Sequence, residues 1–425
     1  MIYTIQAPSV VQAEIRLPAS KSISNRVLIL NALSKSPYPI ENLSDSDDTE
    51  VLRKSLQSSG SDFNIGAAGT SMRFLTAYLS QLPGEWTITG SERMKNRPVG
   101  LLVDALCQLG AEIEYIEKEG FPPLRIQGKK IQGGTIVLNG GVSSQYISAL
   151  LMIAPCLEKG LTLRLEGNIV SKPYIHMTLE LMKTFGVKTH WEDSTIEIPP
   201  QIYRPVSFRV ESDWSAASYW YEIEALAPEN SRIQLMGLEE NSLQGDAKVA
   251  EIFKPLNPRH CEEELRSNPN LPLWRGSGGG IYDFTNEPDL AQTVVVTCCL
   301  LDVPFRFTGL QSLRIKETDR LFALQTELRK LGYVIREEAG SILEWKGERC
   351  APESHPVIAT YEDHRMAMAF APVCLKTGEI RIDNPEVVSK SYPRYWDDLA
   401  AAGFRIKNEY DCPQKYPNGP LGDIF

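Results

Sequence analysis

No apolar run in this chain approaches the roughly 18 residues that a membrane-spanning helix needs. The longest, at 294–301 and 366–375, stop well short. The opening Met1-Ile2-Tyr3-Thr4 has no basic segment followed by an apolar core, so no secretory signal is expected. The eight cysteines are scattered without a CxxC, which excludes a disulfide framework and points to a reducing, cytoplasmic compartment. The five histidines show neither HxH nor HExxH spacing, so no metal site is expected. A Walker A loop is absent, and no GxGxxG opens a helix, so no nucleotide cofactor is indicated. Positive charge is also in deficit. With 44 Lys+Arg against 54 Asp+Glu the chain carries −10, which argues against nucleic acid or a polybasic membrane patch. An anionic small molecule needs only a local basic cluster and stays open.

What the sequence does contain is a repeat. An amphipathic helix ends in Leu-Gly or Phe-Gly, and a strand, a turn and a second strand follow. Clear copies end at Gly110, Gly186 and Gly332, and weaker ones at Gly60, Leu256 and Gly403. Glycine at these ends supplies the left-handed residue that terminates a helix, and Pro98, Pro173 and Pro393 suit first-turn positions. Leu321, Leu324, Leu328 and Leu331 form one apolar stripe at helical spacing. Six units of about seventy residues suggest an array of supersecondary modules, three per domain. The extended stretches near Leu17–Ser20 and 203–210 read as crossovers. The expected domains are 20–209 and 1–19 plus 210–425. A glycine turn at 276–280 and a polar tail after Lys407 complete the chain.

Eight segments form polar clusters where a helix is expected to begin, all but 142–145 with a cation: 20–26, 67–73, 93–98, 142–145, 170–174, 316–320, 362–365 and 389–391. Free N–H groups at a helix start attract phosphate or carboxylate, whereas a cation there is disfavoured for stability alone. Each segment by itself is ordinary capping with a solvated Lys or Arg. Together they suggest a cleft for a ligand with several anionic groups. Acid–base candidates stand beside them. Asp289 is either a first-turn helix acid or a base, and Glu317, between Lys316 and Arg320, is either a solvated ion pair or an acid. His364 is either a capped core histidine or a ligand-facing donor.

The segments Ser20-Lys21-Ser22-Ile23-Ser24-Asn25-Arg26, Gly69-Thr70-Ser71-Met72-Arg73, Arg93-Met94-Lys95-Asn96-Arg97-Pro98, Val142-Ser143-Ser144-Gln145, Ser171-Lys172-Pro173-Tyr174, Arg314-Ile315-Lys316-Glu317-Thr318-Asp319-Arg320 and Asp363-His364-Arg365-Met366-Ala367-Met368 resemble, in order, those of the EPSP synthases, 3-phosphoshikimate 1-carboxyvinyltransferases of the enolpyruvyl transferase family. The resemblance runs from about Pro18 to Trp396. It implies a two-domain inverse α/β barrel of six βαβαββ-type repeats, with the active site in the interdomain cleft. It implies transfer of the carboxyvinyl group of phosphoenolpyruvate to the 5-hydroxyl of shikimate 3-phosphate by a monomer.

Carried over position by position, the resemblance assigns shikimate 3-phosphate to Lys21, Ser22, Arg26, Ser143, Ser144, Gln145, Ser171, Tyr174, Asp289 and Lys316, with Ser312 beside the ring. Phosphoenolpyruvate falls to Lys21, Gly69, Arg97, Gln145, Arg320, Arg365 and Lys390. Asp289 would be the base and Glu317 the proton shuttle, with Lys316 and Lys21 in the catalytic set. Four positions depart from the family pattern: Ala67 (usually Asn), Phe74 (usually Pro), Ser312 (usually Asn) and Leu313 (usually Trp). The first unit, between Gly60 and Gly69, lacks the usual hairpin. Two rivals are a UDP-N-acetylglucosamine enolpyruvyl transferase, which needs a mobile acidic cysteine, and a catalytically dead anion-binding relative. Cys107 and Cys156 read as buried structural thiols, against the first, and the intact Lys21, Asp289, Lys316 and Glu317 argue against the second.

Overall fold

The computed structural model describes residues 1–257 and 280–409. The glycine turn at 276–279 and the tail from 410 lie outside the described residues. Strands form six sheets, four of four strands and two of two. Every four-stranded sheet has the same layout. A parallel pair comes first, Asp62–Asn64 with Gly84–Thr89 for example, and a hairpin then adds Leu124–Gly128 and Glu112–Tyr115 antiparallel. The sheets begun by Gly134–Asn139 and Gly280–Asp283 repeat it. In the fourth, Val357–Ile358 and Glu379–Asp383 are completed by the chain's own first strand, Ile2–Gln6, and by Arg405–Asn408. The number of sheets equals the number of units read from the sequence.

The two small sheets exchange partners. Gln12–Arg16 leads into helix Lys21–Leu33 yet pairs with Arg232–Met236, and Phe208–Arg209 leads into helix Trp214–Leu226 yet pairs with Ile40–Glu41. The two passes are tied by the Ala19–Ser212 bridge and by hydrogen bonds Ser20 N to Glu211 O and Asp213 N to Pro18 O, both 2.8 Å. Two hydrophobic cores result. One draws on residues 19–210, the other on residues 5–17 and 214–404. Helix Asp47–Gln57 is followed almost at once by strand Asp62–Asn64, leaving no room for a hairpin in the first unit.

Helices lie inside and sheets outside, the reverse of most layered α/β proteins. Helix Ala291–Leu300 is buried at every position, and Gly69–Ser80 at all but one. Strands such as Leu124–Gly128 alternate buried and exposed, with one face wet. Gly110, Gly186, Gly332 and Gly403 all have φ between 84° and 106°, the helix-ending conformation that side chains with a Cβ resist. Pro173 sits in its helix's first turn, but Pro98 and Pro393 precede theirs, because the helices begin at Gly100 and Tyr395.

Candidate active site

A cleft of about 90 Å³ lies between the two cores. Lys21, Ser22, Arg26, Gly69, Arg97, Ser143, Ser144, Gln145, Ser171 and Tyr174 line it from one side, and Asp289, Lys316, Glu317, Arg320 and Arg365 from the other. Fifteen of the seventeen sequence-predicted residues therefore meet there. Lys390 is one step removed: its Nζ is 3.4 Å from Glu317 Oε1, and it lines an adjoining cavity of about 410 Å³ with Asp48 and Ala67. Ser312, in the turn Gln311–Ile315, is not on the wall.

The first wall is built from helix starts. Ser20 caps helix Lys21–Leu33, and its hydroxyl reaches Gln244 at 2.9 Å. Lys21 follows, its amide on Asp213 at 3.2 Å and its ammonium 3.8 Å from Asp48. Arg26, one turn on, is 2% exposed and donates to Thr178 Oγ1 at 2.7 Å, Ser148 Oγ and Ser22 O, each at 3.0 Å, and Tyr174 O at 3.5 Å. All are neutral. Among the described residues no carboxylate pairs with it, and burial brings its pKa down to about 10. Its guanidinium lies 5.5 Å over the ring of Phe74, one of the family departures. The Nε of Arg97 has no partner, and a Cβ on Gly69 would stand 2.5 Å from Arg97 Nη1. Ser143 caps helix Ser144–Ile153, and Gln145 donates to Thr70 at 3.2 Å. Ser171, at φ 54°, begins helix Lys172–Thr184, and its amide crosses the cleft to Thr285 O at 2.9 Å.

The opposite wall is a closed charge network. Arg320, 1% exposed, spends its fork on three carboxylates: Asp363 at 2.7 Å, Asp289 at 2.9 Å and Glu317 at 2.9 Å. Asp289 also meets Arg365 at 3.1 Å, Lys316 at 3.4 Å and the Tyr174 hydroxyl at 3.4 Å. Burial would raise the Asp289 carboxyl, but Arg365, Lys316 and Arg320 outweigh it and hold the group well below the usual range. Glu317 behaves alike: burial opposes ionisation, and Lys390, Arg320 and Arg97 overcome it. Both acids are carboxylates in this state. Asp363 supports the wall from within, capping helix His364–Phe370 through Arg365 N at 2.9 Å.

The expectation that the cations of these helix starts together face one cleft needs correcting. Lys172 is exposed, and Arg73 is buried behind the wall, on Gly69 O at 2.7 Å and over the Tyr146 ring. Lys316 precedes the helix that Asp319 caps, and Lys390 ends a short turn, so neither begins a helix. Cys107 is exposed and Cys156 half-buried, against the reading of two buried thiols. Neither lines the cleft, and burial raises both thiols, Cys156 to about 11.

Other residues at the wall carried no settled role in the sequence. Asn25 and His364 are buried with no hydrogen-bond partner for any side-chain polar atom. Asp213 caps helix Trp214–Leu226, a role that Asp before an apolar run could have signalled. Asp246, behind the wall, has no such signal. It is 2% exposed, bonded to the Ser215 and Tyr174 hydroxyls, and burial with the charge of Asp289 pushes it up to about 6.

The profile of the EPSP synthase family (3-phosphoshikimate 1-carboxyvinyltransferase) matches residues 5–62 and 52–399. A 3-phosphoshikimate 1-carboxyvinyltransferase of Bacteroides fragilis is 57% identical over 410 residues, covering 96% of this chain and 99% of its own length. One from Vibrio cholerae is 36% identical, covering 93% and 98%. A solved EPSP synthase structure from Acinetobacter baumannii superposes with TM-score 0.73 at 19% identity, over 96% of this chain and all of that one, a likeness of fold. On a match that spans nearly the whole chain, this protein belongs to the EPSP synthase family.

Proposed function

We propose that the chain transfers the carboxyvinyl group of phosphoenolpyruvate to the 5-hydroxyl of shikimate 3-phosphate, as a cytoplasmic monomer. One observation carries the reading. Arg26 and Arg97, which have no carboxylate within ion-pair distance among the described residues, face a wall whose two acids are held ionised by a shared arginine. Both substrates carry a phosphate and a carboxylate, and the first wall offers them Arg26, Arg97, Lys21 and the hydroxyls of Ser143, Ser144 and Ser171. Shikimate 3-phosphate lies against Lys21, Ser22, Arg26, Ser143, Ser144, Gln145, Ser171, Tyr174 and Lys316. Phosphoenolpyruvate lies between Gly69 and Arg97 on one wall and Arg320 and Arg365 on the other, with Lys390 beside it.

Asp289, ionised at neutral pH, accepts the hydroxyl proton while the oxygen attacks the enol carbon that bears phosphate. The methylene carbon takes a proton from Glu317, giving a tetrahedral ketal phosphate. The carbon–oxygen bond to phosphate then breaks, the methyl group returns a proton to Glu317, and the proton taken from the hydroxyl leaves with phosphate. Glu317 must be protonated before the first step. Phosphate and carboxylate arriving beside Lys390 and Arg97 cancel the charges that keep it ionised. Fixed cations around the developing charge supply most of the rate.

The test is phosphate release on mixing the protein with both substrates. Turnover above background, lost by about 10²–10⁴ in Asp289→Asn with shikimate 3-phosphate binding retained, is the expected result. Binding of both ligands without phosphate release would favour a catalytically dead relative.

A further inference from the structure

His364 belongs to the cleft wall but to none of the roles above. Its side chain is 2% exposed, and among the described residues neither ring nitrogen has a hydrogen-bond partner, in a position where an unsatisfied polar atom is costly. The charged groups acting on the ring come from several segments around it. Lys21 belongs to helix Lys21–Leu33, Lys390 ends the turn Pro385–Lys390, and Arg365 and Asp363 are its own neighbours. Glu317 lines the same cleft from the segment before helix Arg320–Lys330, and its charge acts on the ring. Burial, Lys21 and Arg365 hold the imidazole neutral. Asp363 Oδ1 stands 3.8 Å from Nδ1, too far for a hydrogen bond but close enough to favour the proton on that nitrogen. Nε2 then presents a lone pair. A lone pair in this place suits neither phosphate nor carboxylate. It suits a donor that exists only for part of the cycle.

We propose that His364 is a positioning residue for Glu317, its Nε2 accepting the hydrogen bond of the protonated Glu317 carboxyl and so favouring the acid form that the enol carbon requires. The inference rests on the proposed role of Glu317. A hydrogen bond to the neutral form of an acid raises its pKa, opposing Lys390, Arg320 and Arg97 at the moment the substrates weaken them. The ring stays neutral throughout, so no proton is gained or lost at His364.

The experiment compares the pH dependence of kcat for phosphate release in the wild type, in His364→Gln, which keeps an acceptor, and in His364→Phe and His364→Ala, which do not. Solvent deuterium entering the product's vinyl group is followed alongside. Removing the acceptor is expected to lower kcat about tenfold, the size of one net hydrogen bond. It should also move the high-pH fall of kcat about one unit lower and slow deuterium entry, leaving both KM values within about twofold. His364→Gln should restore most of the limb. An unshifted limb in whichever acceptor-free variant still binds shikimate 3-phosphate overturns the proposal, as does equal loss in Gln and Phe. A wild type that releases no phosphate overturns the functional reading as well, so the two failures are distinguishable.

Discussion

The two walls of the cleft carry the same residue types and treat charge in opposite ways. On the wall built from residues 19–210, Arg26 has only hydroxyl and carbonyl partners, and Arg97 Nε has none. On the other, Arg320, Arg365, Lys316 and Lys390 are all within 3.4 Å of Asp289, Glu317 or Asp363. A buried charge is tolerated by pairing or by waiting for a ligand; the second wall pairs its cations, whereas the first leaves Arg26 and Arg97 waiting and sets Lys21 3.8 Å from Asp48. The first wall is a receptor whose counter-ions arrive with the substrates. The second is charged in advance, and its cations keep two acids ionised.

The contrast breaks most visibly through arginine deletion. Arg320→Met takes a cation from three carboxylates and leaves buried Asp363 with no arginine partner, and unfolding by denaturant should register a loss of about 3–5 kcal/mol. Arg26→Met strands none, since Thr178 and Ser148 keep each other at 2.8 Å, and its stability should stay within about 1 kcal/mol while shikimate 3-phosphate binding falls steeply. Equal losses in the two variants would erase the distinction between the walls.

Gly69→Ala sharpens the receptor side. The added Cβ would meet Arg97 Nη1 at 2.5 Å and Arg73 Nη1 at 2.8 Å, and only the arginine side chains can give way. Initial-rate kinetics should show the KM for phosphoenolpyruvate rising about 10–100-fold, one to three displaced hydrogen bonds' worth, with that for shikimate 3-phosphate little changed.

The smallest effect concerns pH. Asp289 and Glu317, with lowered folded pKa values, add stability that is present above the usual carboxylate range and is lost as pH falls through it. Asp246, raised to about 6, runs the other way: its contribution is complete below the unfolded value of 3.8 and is lost as pH rises through about 6. Melting temperatures of Asp246→Asn should therefore lack part of the wild type's decline between about pH 4 and 6. A parallel curve would remove Asp246 from that account.

Much of the fold was legible because it repeats. A terminating glycine and an apolar stripe recur in most units, and local geometry demands both, so six units could be counted without knowing a single contact. The exchange of Gln12–Arg16 and Phe208–Arg209 between sheets was not legible as pairing, because two short strands look alike whichever neighbour they choose. Lys172 shows the limit at the site. Its motif is as good as that of Lys21, yet it faces solvent, since one residue's step around a helix start turns a side chain by about 100°.

The sequence by itself determined the chemistry available: which helix starts carry cations, where Asp289 and Glu317 stand beside them, and that no sulfur, metal or nucleotide motif competes. Those are properties of short segments, and short segments contain them whole. Only the tertiary structure decided which cations are paired and which are left for a ligand, why Asp246 is raised while Asp289 is lowered, and that His364 has no hydrogen-bond partner among the described residues. Each depends on groups far apart in the chain meeting where water is excluded. There a charge interacts strongly enough with its neighbours for their arrangement, more than residue type, to set its state.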